Sequence, residues 1–192
     1  VRTIYFDLET GGLELPHPII QLAAVAVDEQ YNEVSAFQCK LRFDIRTADP
    51  EALEMNHFDP AVWKAEAIDP RTAVTDFSTW LRQFADLRLV SKAGRPYNVA
   101  LLAGYNAASF DGPRIQKLFK DQGAFMPAYP RVLDVLQLVL WHFHMLGEFH
   151  QSLKLEIACQ LLGLKLEGAH DALADVRATV QVAKALAEQV SA

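Results

Sequence analysis

Short apolar runs that end at turn residues mark the first forty residues, and farther along the chain apolar positions recur at helical spacing. The segments at about 2–8, 19–27 (IIQLAAVAV) and 33–43 (EVSAFQCKLRF) read as three strands, the last two joined by the turn sequence DEQYN. That order predicts an antiparallel meander. Asp-Pro pairs at 49–50 and 59–60 predict short helices in a connecting segment, because Pro suits the first helical turn and Asp caps it. A longer helix is expected over about 71–85, where Val74, Phe77, Leu81 and Phe84 recur at helical spacing. LRLVSKAGRPYN reads as a loop, and VALLAGYN after it as a buried strand. Helices are expected at about 112–121, 132–145, 152–163 and 171–189, separated by Gly and Pro. The predicted fold is α/β, a mixed sheet covered by helices.

The first strand poses a chemical question. Ile4, Tyr5 and Phe6 make an apolar run that ends in Asp7 and Glu9. Residues i and i+2 of a strand share a face and lie roughly 6–7 Å apart. Two carboxylates held that close beside a core repel each other and resist desolvation unless they share protons or a cation neutralises them. A strand emerging into solvent at the Gly11-Gly12 turn is the plainer explanation of an isolated D-x-E.

Two further acids occupy comparable places. In LLAGYNAASFDGPRIQKLF, Asp111 follows a buried strand and precedes Gly112-Pro113, at or just before a helix start, where capping is its ordinary role. In GAHDALADVRATVQVAKALAEQV, Asp171 is the natural cap, Asp175 falls in the first turn or so, and His170 stands just outside the helix. Each placement has a structural explanation singly; together, and in one order, they require coincidence.

Composition narrows the classes. With 192 residues and 51% hydrophobic positions the chain is expected to be one globular unit, residues 1–192. No apolar run approaches the roughly 20 residues of a membrane span, so a soluble, cytoplasmic protein is expected. Cys39 and Cys159 have no C-x-x-C spacing, which gives redox chemistry no support. A net charge of −6 argues against a sequence-independent clamp on nucleic acid, but not against an enzyme that grips only a strand end.

The set D-x-E, Asn106 with Phe110-Asp111, and His170-x4-Asp175 resembles the DEDDh (DnaQ-like) 3′-to-5′ exonucleases of the ribonuclease-H-like superfamily, from Ile4 to about Ala187. GYNAASFD and LEIACQLLGLKLEGAHDALADVRAT point to the exonuclease I branch, whose members carry further domains after the catalytic one. DLETGG stands where many relatives have DTETTG, so Leu8 and Gly11 depart from the common pattern without touching an expected metal ligand. The resemblance implies a ribonuclease-H-like mixed sheet of about five strands, with Asp7, Glu9, Asp111 and Asp175 as metal ligands. Four carboxylates in one pocket suit two hard divalent cations, Mg²⁺ or Mn²⁺. His170, with an unperturbed pKa near neutrality, is the expected general base. The resemblance further implies that Glu9 meets the terminal 3′-hydroxyl, that the backbone of Thr10, Gly11 and Gly12 holds the last nucleotide, and that Leu13 and Phe110 stack near the last bases, with Asn106 in the same substrate-binding set.

The expected activity is release of nucleoside monophosphates from the 3′ end of single-stranded nucleic acid, DNA favoured, with a polymerase or repair complex as a partner class. Its alternatives are a non-catalytic nucleic-acid-binding module of the same fold and an RNA-trimming exoribonuclease. Three histidines, His142, His144 and His150, are read as surface or half-buried residues, since i and i+2 diverge on a helix. Arg88, Lys92 and Arg95 are read as a solvated loop, and Trp63 and Trp80 as core.

Overall fold

A computed structural model describes residues 1–165 and 171–190. Strands β1 (Thr3–Thr10), β2 (Ile19–Val27) and β3 (Glu33–Lys40) form the expected meander. The turn between β2 and β3 closes on Asp28, whose carboxylate accepts from the N–H groups of Gln30 and Asn32. The connecting segment contains α1 (Pro50–Met55) and α2 (Pro60–Glu66), followed by α3 (Pro70–Arg82). All three begin alike. Asp49, Asp59 and Asp69 each cap a helix whose first residue is Pro, accepting from the N–H of Glu51, Ala61 and both Arg71 and Thr72. Asp69-Pro70, a third Asp-Pro pair, places the beginning of α3.

The segment read as a loop is instead a hairpin of β4 (Leu87–Val90) and β5 (Pro96–Val99), a separate two-stranded sheet. Its turn is tied by Ser91 N–H to the Arg95 carbonyl at 2.9 Å, with Gly94 at φ 75°. Short strands with mostly exposed side chains carry little hydrophobic alternation, which is why the turn residues dominated the reading. Next come β6 (Leu101–Gly104), α4 (Asp111–Asp121), β7 (Leu133–Asp134), α5 (Val135–Met145), α6 (Leu155–Leu161) and α7 (Ala172–Val190). β7 has only two residues and no periodicity to betray it; it takes the start of the helix expected at 132.

The main sheet has the order β3-β2-β1-β6-β7, with β1 antiparallel to β2 and parallel to β6, and β6 parallel to β7. It is the expected five-stranded mixed sheet. Because side chains alternate, the central strand β1 sends Ile4, Phe6 and Leu8 into a core with Phe77, Trp80 and Leu81 of α3 and Ile115 and Phe119 of α4. Tyr5 points the other way, among Val135, Val139 and Phe143 of α5, Ala158 and Cys159 of α6, and Val176, Val182 and Ala183 of α7. Asp7 and Glu9 share the parity of Tyr5. They therefore emerge on the side covered by α7, the helix that carries Asp175.

Candidate active site

β1 runs on to Thr10, so both acids lie inside a hydrogen-bonded strand: Asp7 is paired with Ala23 and Glu9 with Gln21, before a register shift at Thr10. Asp175 reaches them from the first turn of α7. Among the described residues, carboxylate oxygens of Asp7, Glu9 and Asp175 all lie within 4.8 Å of one another. Helix α7 is fixed against the sheet by its cap, since Asp171 accepts from the N–H of Ala174 at 3.1 Å and from the amide of Gln21 at 3.4 Å. Gln21, buried on β2 beside Glu9, thus ties the helix start to the strand that bears the acids. The Thr179 hydroxyl donates to the Asp175 carbonyl.

The fourth acid arrives from β6. That strand ends at Gly104, and the turn into α4 is built on Asn106, at φ 55°, a left-handed conformation that Asn tolerates better than most residues. Its side-chain oxygen accepts from the Ser109 hydroxyl at 2.6 Å, and its carbonyl from the N–H of Phe110 at 3.1 Å. Asn106 therefore shapes the turn that delivers Phe110 and Asp111. Asp111 opens α4 rather than capping it: Phe110 holds the cap position and contributes no side-chain bond. Asp111 is 3% exposed, and its Oδ1 has no hydrogen-bond partner among the described residues. A buried carboxylate oxygen left bare is costly unless something cationic or protonated meets it.

Electrostatics link the set. Burial, followed by the charges of Asp111, Glu9 and Asp175, holds Asp7 well above the usual carboxylate range. Burial, with Asp175 and then Asp171, pushes Glu9 up to about 7. Asp111 is raised to about 7 by burial, against the opposing pull of the Arg114 charge and of backbone N–H groups. These acids cannot all ionise cheaply without a counter-charge. The donors are all carboxylate oxygens, the set preferred by hard divalent cations.

No protein-family profile matches the chain. No curated protein sequence matches it either. Solved structures do. A structure of exonuclease I superposes with a TM-score of 0.79 at 20% identity, over 97% of this chain and 41% of that one. A moderately thermophilic exonuclease I from Methylocaldum szegediense gives 0.77 at 22% identity, over 98% and 40%. The zinc-bound form of an E. coli exonuclease I complex with single-stranded DNA gives 0.76 at 19% identity, over 98% and 41%. The chain has the ribonuclease-H-like fold of exonuclease I. It spans about two fifths of the length of those exonuclease I chains.

Within the exonuclease I fold, the described acids expected from sequence come to one place: Asp7, Glu9 and Asp175 in one cluster, and Asp111 close enough to perturb Asp7. His170 lies outside the described residues. Leu13 is 85% exposed at the loop after β1, and Phe110 is half-buried beneath the Arg114 guanidinium. Gly11 is spent on the fold. Its N–H donates to the Pro18 carbonyl and its carbonyl accepts from the N–H of Asp49, while an added Cβ would lie 2.7 Å from that of Ala48. Gly12 runs at φ 153°, where a Cβ would meet the His17 ring at 2.5 Å, and its carbonyl accepts from the Thr10 hydroxyl. The three residues thus form a tight, internally bonded rim.

Two supporting residues escaped the sequence reading. Asn56, at the end of α1, donates its amide to the Thr10 carbonyl at 2.9 Å and pins the connecting segment to the rim. Arg114 lies one turn into α4, on the face that carries Phe110. An Asn at a helix C-terminus and an Arg three residues after a candidate ligand are the only signals that would have suggested them.

Proposed function

We propose that the chain is a divalent-metal-dependent 3′-to-5′ exonuclease that releases nucleoside monophosphates from single-stranded nucleic acid, with DNA favoured. The observation that supports it most strongly is the carboxylate cluster of Asp7, Glu9 and Asp175, with the bare buried oxygen of Asp111 beside it, on an exonuclease I fold. Exonuclease I has been solved with single-stranded oligonucleotides and, in one structure, with zinc. Asp7, Glu9, Asp111 and Asp175 would hold two Mg²⁺ or Mn²⁺ ions, which supply a nucleophile at neutral pH and stabilise charge on the leaving 3′ oxygen.

The rest falls to the protein. Asp7, whose carboxylate is perturbed by Asp111, Glu9 and Asp175 alike, would be the central ligand of that set. Glu9, on the rim side of Asp7, accepts from the terminal 3′-hydroxyl, which favours strands that end in a free hydroxyl. Leu13 and Phe110 contact bases by stacking and apolar packing, which every base tolerates, so sequence preference is weak. His170 accepts a proton from water during hydrolysis. With the Glu9 and Asp111 carboxyls raised to about 7, cation binding would displace protons and tighten as pH rises.

The test is parallel digestion of single-stranded DNA, duplex DNA with a recessed 3′ end, and short RNA, each with Mg²⁺ or Mn²⁺ and with chelator. Mononucleotide release from the DNA single strand, abolished by chelator, is expected. Binding of the strand without turnover in either metal would replace the enzyme with a binding module.

A further inference from the structure

The two apolar walls assigned to the last nucleotides come from distant parts of the chain, and one side chain touches both. Arg114 is 6% exposed. It donates through one terminal nitrogen to the Phe110 carbonyl at 2.9 Å and through the other to the Leu13 carbonyl. Its guanidinium lies 3.6 Å from the centre of the Phe110 ring. We infer that Arg114 is a positioning residue that fixes the spacing between Leu13 and Phe110, and so the width of the slot for the strand end; this rests on the exonuclease reading.

The β1–β2 connection has its own bonds, from Gly11 to Pro18, His17 to Glu14, and Glu14 to the His17 ring. None of them restrains the Leu13 carbonyl. With a side chain 85% exposed, Leu13 gains almost nothing from packing, so the Arg114 bond is the contact that holds this wall in place. On the other wall the same side chain covers the Phe110 ring and holds its carbonyl, at a helix start that lacks a side-chain cap. A planar fork can meet two carbonyls and an aromatic face at once, which an ammonium cannot. The arrangement is not one that stability alone favours, because the Arg114 Nε is buried without an acceptor among the described residues. Arg114 reaches Leu13 and Phe110 through their backbones and a ring face, so it acts on the strand through them.

The test uses the whole chain with Mn²⁺ and a 5′-labelled single-stranded dT oligonucleotide. Steady-state kcat and KM are measured for wild type, Arg114→Lys, Leu13→Ala and their double variant, with Mn²⁺ affinity by calorimetry. Arg114→Lys keeps the charge beside Asp111, which Arg114→Met would remove, and a circular dichroism spectrum checks its fold. Expected are Mn²⁺ affinity within about threefold of wild type and a KM raised about 10- to 100-fold with a smaller change in kcat. Leu13→Ala should raise KM in the wild-type background and add little in Arg114→Lys, since the wall is already loose. A KM within about twofold of wild type in Arg114→Lys overturns the inference, as does full multiplication of the two effects. So does loss of Mn²⁺ affinity, which would mean that Arg114 acts through Asp111. A wild-type chain that releases no nucleotide removes the exonuclease reading itself; an active wild type with an unaffected Arg114→Lys removes only the slot.

Discussion

Replacing Glu9 with Gln should stabilise the metal-free protein, and by an amount that depends on pH. Glu9 is 8% exposed, on β1, with Asp175 and Asp171 nearby, and its carboxyl is pushed from an ordinary 4.5 up to about 7. A carboxyl with a raised folded-state pKa keeps its proton in the native state after the unfolded chain has lost it. Between pH 4.5 and 7 the native state therefore binds more protons than the unfolded one, and stability falls as pH rises through that window. Above pH 7 the full cost is in place, about 3 kcal/mol at the upper end for this displacement. Gln keeps the shape and carries no charge. In EDTA at pH 8, Glu9→Gln should gain up to about 3 kcal/mol, which for a chain of this size is about 6–12 °C in Tm. At pH 4.5 the two proteins should agree within about 0.5 kcal/mol. Saturating Mn²⁺ should close or reverse the gap at pH 8, because ligand at a hundred times its Kd adds about 2.7 kcal/mol to the protein that binds it best. Urea unfolding followed by circular dichroism at both pH values, with and without Mn²⁺, reads all four cases. A Glu9→Gln protein that is less stable than wild type by the same amount at pH 4.5 and pH 8 in EDTA would refute the electrostatic account.

Asp7→Asn or Asp175→Asn should remain folded and lose nuclease activity by orders of magnitude at saturating Mg²⁺, read as initial rates beside a circular dichroism spectrum; near-wild-type rates in either would sink the ligand assignment. His170→Ala should bind Mn²⁺ nearly as wild type does, while single-turnover cleavage falls about 10²- to 10⁴-fold. A 3′-phosphate should block digestion and a 5′-phosphate should not, and circular single strands should survive; gel analysis of the three substrates decides it.

The sheet was legible because its strands announce themselves chemically. IIQLAAVAV is buried along its whole length, and the parity of Ile4, Phe6 and Leu8 against Tyr5, Asp7 and Glu9 assigns both faces of β1. The same parity made the site legible: two acids that share a face and end beside a helix are brought together by any fold that packs that helix on that face. The 87–99 hairpin and β7 were not legible: the four-residue β6 is marked by its buried apolar run, whereas β4 and β5 expose most of their side chains, β7 has two residues, and Gly94 and Pro96 read as loop whether or not their flanks pair. Arg114 and Asn56 were missed for a different reason. Their roles rest on carbonyls, of Leu13, Phe110 and Thr10, and a main-chain acceptor leaves no trace in the pattern of residue types. Asp111 is the acid whose two readings the structure separates: capping is its ordinary role taken singly and metal ligation the expected one in the set, and Phe110 occupies the cap position while the Asp111 Oδ1 has no hydrogen-bond partner among the described residues.

The central claim is that these acids hold cations for hydrolysis at a 3′ end, and the most direct measurement is a time course on one oligonucleotide labelled at its 5′ end, resolved on a sequencing gel. In Mg²⁺ or Mn²⁺ the account predicts a ladder that shortens one nucleotide at a time while the label stays on the strand, and no change in EDTA or with Asp7→Asn. Release of the label as a mononucleotide at the earliest times, or an identical ladder in EDTA, would contradict it.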